Sequence, residues 1–112
     1  MKEDVDFYHI PNYIVPMNSN EISAYLKEMS RTLAKTDDVD LIERFLPCLL
    51  TKNELQEVAS RWALVKLIDQ GVSQRKISSE LGLSLCKITR GSKELKKKDS
   101  PFKSMIDLSN EI

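Results

Sequence analysis

Residues 73–92 read SQRKISSELGLSLCKITRGS, and this stretch decides the fold. Ser73 precedes QRKISSEL, in which Ile77 and Leu81 stand four apart, the spacing of one helix face. Gly82 then breaks the pattern. Ser84 opens a second stretch, where Leu85, Ile88 and Leu95 again recur at helical spacing. A short helix, a turn of about three to four residues containing glycine, and a second helix make a helix-turn-helix. Ile77, Leu81, Leu83 and Ile88 allow the two helices to bury a face against each other, and Ser78 is small where they must cross. A packed helical hairpin with no role in nucleic-acid binding shows the same spacing, so charge has to separate the two readings.

The 112 residues carry 17 basic and 17 acidic side chains, a formal net charge of zero. That average hides a segregation. Residues 1–57 hold 11 acids and 6 bases, whereas residues 58–112 hold 6 acids and 11 bases. Within residues 73–98, 8 bases face only Glu80 and Glu94. A half so charged suits a polyanion, because each lysine or arginine that neutralises a phosphate releases counterions. A solvated basic face is the plainer account of KELKKK.

Outward from the motif, everything from Ser19 reads as helix, and the expected class is all-α with about six helices. SNEISAYLKEMSRTLAK sets Ile22, Leu26, Met29 and Leu33 on one stripe, behind a Ser19 or Asn20 cap. DDVDLIERFLPCLL gives a second helix, acidic at its start and expected to close near Pro47. TKNE, residues 51–54, has the form of a capping box. The helix behind it is expected to reach about Gln70, with Leu55, Val58, Ala59, Trp62, Val65 and Ile68 as its apolar face and Gly71 as terminator. DSPFKSMIDLSNEI starts a last helix, capped by Ser100 with Pro101 in the first turn. Residues 1–18, interrupted by Pro11 and Pro16, read as an arm whose Phe7, Tyr8 and Tyr13 suit packing on something else. The organisation expected is therefore an arm, 1–18, and one helical domain, 19–112, with the helix-turn-helix at about 73–95.

Gly91 is the oddity. It sits inside the second helix of the motif, where glycine costs about 1 kcal/mol relative to alanine, and it is surrounded by Lys87, Arg90, Lys93 and Lys96. Close helix packing is one reason for it. A resemblance supplies another. LTKNELQEVASRW (50–62), GVSQRKISSELG (71–82) and KITRGSKELK (87–96) together resemble the Trp repressor family, over roughly residues 41–108.

The resemblance implies an intertwined helical homodimer carrying two readers. It also implies a palindromic operator, with half-sites about one helical turn apart, roughly 34–36 Å, as known for helix-turn-helix dimers, the Trp repressor among them. L-tryptophan is implied as corepressor, bound between the core and the second reader helix. Arg90 and Gly91 match the family's ligand-contacting pair, the arginine on the indole face and the glycine leaving the backbone open. Arg61 matches the arginine on the other face; Glu57, one turn back, offers it an ordinary surface partner instead. Thr51 matches a threonine near the ligand's polar end, and the carbonyls of Cys48 and Leu50 would take its amino group. Two positions depart from the family pattern. Lys87 replaces a small hydroxyl residue beside the ligand carboxylate, and Glu94 replaces a serine near the amino group. A cation for a carboxylate and an anion for an ammonium suit an amino acid, though their length also lets them fill the space.

On the reader, Gln74 and Arg75 open the first helix, and Ser84, Leu85, Cys86 and Thr89 match the positions presented to the major groove. Arg75 is the candidate for a direct base contact through its fork of donors. The others are small or apolar and suit thymine methyls or water-mediated reading, for which the Trp repressor–operator complex is itself a known case. Lys87, Lys93 and Lys96 to Lys98 are expected on phosphate, fixing register without reading sequence.

Other classes compete. One is a helix-turn-helix protein that binds DNA without a ligand or answers to a different small molecule. Another is a helical module whose basic stretch docks an acidic partner. An enzyme is not expected: His9 is the sole histidine, and neither a Gly-rich phosphate loop nor a metal-ligand cluster appears, so no cofactor or metal is called for. Cys48 and Cys86 lack CxxC spacing, which suits a reducing cytoplasm, and Cys48 reads as a buried structural thiol. No apolar run is long enough for a membrane span, and MKEDVDFYHIPNY does not resemble a signal peptide.

Overall fold

The computed structural model describes residues 16–112; the aromatic arm residues Phe7, Tyr8 and Tyr13 lie outside them. Among the described residues there are six helices and no strand: α1 Ser19–Lys35, α2 Val39–Leu49, α3 Lys52–Asp69, α4 Gln74–Leu81, α5 Leu85–Lys96 and α6 Pro101–Ser109. The chain falls into two compact units, Met1–Ile42 and Glu43–Ile112.

In the first unit, α1 is capped by Asn18, not by Ser19 or Asn20. Asn18 Oδ1 accepts from Glu21 N at 2.9 Å while Asn18 N donates to Glu21 Oε1 at 3.0 Å. The reciprocal box needs a glutamate three residues after the cap, and only Asn18 stands that far before Glu21. Met29 and Leu33 on the apolar stripe are half-buried, but Ile22 and Leu26 are exposed, and α1 buries no residue fully.

The α2 helix starts when Asp38 Oδ1 accepts from Leu41 N at 3.1 Å. It closes near Pro47, as expected, ending two residues past it at Leu49, with Leu50 N still reaching Leu46 O at 2.9 Å. α2 also buries no residue fully, and Phe45 and Leu49 are exposed. Cys48 is exposed rather than a buried structural thiol, its Sγ directed at the Arg44 carbonyl at 3.5 Å. Next to Pro47, near the end of a helix that buries nothing, it has no core to enter.

The second unit contains the core. Leu64 and Val65 of α3, Ile77 of α4, Ile88 of α5 and Ile106 of α6 are fully buried, with Leu67, Ile68, Val72, Leu81, Leu83, Leu95 and Phe102 packed around them. Thr51 closes its expected capping box with Glu54, donating to its carboxylate at 2.8 Å and accepting its N–H at 3.1 Å. The apolar face of α3 differs from the expected one. Leu64 joins Val65 in the core, while Val58 and Trp62 are exposed at 47% and 36%. From Trp62 to Ile68 the helix is apolar on almost every side, so one stripe packs inward and Leu55, Val58 and Trp62 lie on another. Trp62 finds a partial partner, its ring stacked on Phe102 with centroids 6.0 Å apart. Lys103 clasps α6 to α3, donating to Asp69 at 2.8 Å and to Asp107 at 3.0 Å.

Candidate DNA-reading surface and ligand cavity

Ser73 and Ser84 cap α4 and α5 as expected, accepting from the backbone N–H groups of Lys76 and Lys87 at 3.2 and 3.3 Å. Gly82 ends α4 at φ +65°, a left-handed conformation that a side chain would strain. Ser78 does more than leave room. Its hydroxyl donates to the Leu83 carbonyl at 2.9 Å, stapling α4 to the turn. With Ile77 and Ile88 buried beneath, α5 is fixed against α4 and turns its other side outward.

That outward side carries the expected reading residues. Ser84, Leu85, Cys86, Thr89 and Lys93 are exposed on α5, Gln74 and Arg75 are exposed in the first turn of α4, and Lys96 is exposed in the last turn of α5. Leu85 is 60% exposed at the start of the helix and takes no part in the core. Lys87 is the exception within the set. It turns toward α3 and donates to Glu57 Oε1 at 3.4 Å, away from the phosphate-facing role expected of it. Three helical positions, 87, 91 and 94, share this inward flank, and the middle one is buried.

Beside that flank lies a cavity of about 530 Å³. Five of the eight expected ligand residues line it: Arg61 from α3, and Lys87, Arg90, Gly91 and Glu94 from α5. Leu64, Val65 and Phe102 give it an apolar floor, and Cys86 borders it from the reader side. The other three expected residues do not line it. Cys48 and Leu50 sit at the end of α2, and the Thr51 hydroxyl is committed to capping α3.

Gly91 has a packing reason. A Cβ there would come within 3.2 Å of Leu64 Cδ2 and 3.4 Å of Val65 Cγ2, so the missing side chain is what lets α5 cross α3 closely. Arg61 takes the surface partner offered in sequence, its Nη2 3.3 Å from Glu57 Oε2. Glu94 is paired with Lys97 at 2.7 Å. The hydrogen bond from Lys97, then the charges of Lys97 and Arg90, hold the Glu94 carboxyl below its ordinary 4.5. Glu57 and Phe102 were missed in the sequence. Glu57 showed only its local pairing, because Lys87 lies 30 residues away; Phe102 looked like any apolar residue of a last helix.

The Trp repressor protein family matches residues 24–110. This chain belongs to the Trp repressor family. A Trp operon repressor homolog of Xylella fastidiosa (strain M23) is 38% identical over 66 residues, spanning 58% of this chain and 72% of that protein. A second, from Chlamydia trachomatis (serovar D), is 38% identical over 69 residues, spanning 57% and 73%. The comparison with solved structures returned no match. Trp repressor family membership makes the chain a helix-turn-helix, DNA-binding transcription regulator rather than an enzyme. Among the described residues no cluster of metal-ligating side chains occurs, and no helix is long and apolar enough to cross a membrane.

Proposed function

We propose that the protein is a repressor that binds a palindromic operator as a homodimer and takes L-tryptophan as corepressor in the α3–α5 cavity. The observation that carries this reading is the cavity itself. It borders the reader helix, joins an apolar floor to Arg61 and Arg90, and offers a cation, Lys87, and an anion, Glu94, for the two ends of an amino acid. Occupying it would fix α5 against α3, and DNA binding would follow because the reading residues stand on the same helix. Thr51 and the carbonyls of Cys48 and Leu50 would complete the site from outside this cavity. The exposed apolar residues of α1, α2 and α3 support a homodimer, since a second copy would give Leu26, Phe45 and Val58 a dry environment. A role on DNA supports a cytoplasmic location.

Calorimetric titration of L-tryptophan, with melting followed in parallel, tests the ligand. A ligand that binds only the folded state stabilises it by about 2.7 kcal/mol at a hundredfold excess over Kd. Binding heat that Arg90→Ala abolishes is expected. Silence with salt-dependent DNA binding intact would remove the corepressor and leave the reader.

A further inference from the structure

Arg61 and Lys87 stand between two cavities. One is the cavity of about 530 Å³ that holds Arg90, Gly91 and Glu94; the other, of about 460 Å³, is bounded by Asn53, Ser60 and Leu83 among others. Both cations line both cavities, whereas Glu57 lines only the second. Its two oxygens are divided between them, Oε2 on Arg61 at 3.3 Å and Oε1 on Lys87 at 3.4 Å. One resident carboxylate therefore occupies two of the three cations that line the ligand cavity, Arg90 being the third, and it holds them from the neighbouring side.

We propose that Glu57 is a specificity-determining residue of the ligand cavity, whose carboxylate competes with that of an amino-acid ligand for Lys87 and Arg61. This rests on reading the α3–α5 cavity as an amino-acid site. A ligand carboxylate seated on Lys87 or Arg61, rather than on Arg90, displaces Glu57 from that cation and then lies near its carboxylate. A ligand with a neutral group at that end meets no such competitor. The Glu57 and Lys87 side chains are about half exposed, so the exchange takes place in a water-like dielectric. The competition is accordingly modest and screened by salt. Glu57 also positions what it competes for, because the pair ties the first turn of α5 to α3 across 30 residues of sequence.

The test is calorimetric titration of L-tryptophan and of L-tryptophanamide, which lacks the carboxylate, into the full chain and its Glu57→Gln variant. The substitution is isosteric and exposed, and thermal melting confirms that the variant folds. Glu57→Gln should tighten L-tryptophan by roughly two- to fivefold, the range that an exposed ion pair commands. The gain should shrink at high salt, and L-tryptophanamide should be unchanged. Equal tightening of both ligands, or equal L-tryptophan affinity in variant and parent, would overturn the role of Glu57 alone. No binding of either ligand by either protein would overturn it together with the corepressor reading.

Discussion

Gly91 costs its helix about 1 kcal/mol of propensity, yet α5 needs it. The Leu64 side chain facing it is fully buried, and an added Cβ would require it to give by a few tenths of an ångström. Overpacking a filled core costs about 1–3 kcal/mol, which exceeds what alanine returns in propensity. Gly91→Ala should therefore lower stability by about 1 kcal/mol in urea unfolding; a gain would mean that Leu64 yields. Glu94 gives a second residue-scale expectation. Its folded-state pKa is lowered, so its contribution is present above the ordinary 4.5 and is lost as pH falls through the lowered value. Its charge is thus constant through the neutral range. Ligand affinity that depends on Glu94 should be flat there and fall only below 4.5, as calorimetry across pH would show. The sequence raised the question of Gly91 and named close packing as one answer; it contained no sign that Leu64 and Val65 would be the atoms in contact. Long-range pairs such as Glu57–Lys87 were illegible for the same reason, since no local spacing encodes them.

At the scale of elements, the reader is held by caps, one staple and two buried isoleucines. Ser78→Ala removes the hydroxyl that donates to Leu83, and should cost about 1 kcal/mol while weakening DNA binding through a looser turn. Unchanged binding in a salt titration would show that Ile77 and Ile88 suffice. These elements were largely readable. Thr51, Ser73, Ser84 and Ser100 cap where the sequence placed them, because cap chemistry is local. Asn18 displaced Ser19 and Asn20 because the box partner, not the nearest polar residue, chooses the cap. Pro47 marked the end of α2 to within two residues, because a proline lacks the N–H that would continue the ladder. The inward stripe of α3 was unreadable where the helix is apolar nearly all round, since periodicity then has no contrast.

For the whole molecule, the five fully buried apolar side chains among the described residues all lie in α3 to α6, while α1 and α2 bury none fully. The proposed homodimer would cover these faces, and its melting temperature should rise with protein concentration. Phe45→Lys should shift sedimentation toward monomer, removing about 1.5–3 kcal/mol of apolar burial per copy. A monomer at every concentration in the parent chain would contradict the dimer. The proposed function joins that dimer to its reader and its cavity, and one measurement addresses all three. Random-sequence DNA duplexes are selected by the purified protein with and without L-tryptophan, and the retained sequences are read. The expected result is a palindromic motif, its half-sites about one helical turn apart, enriched only when L-tryptophan is present. Enrichment that ignores L-tryptophan, or no enrichment under either condition, would contradict the account.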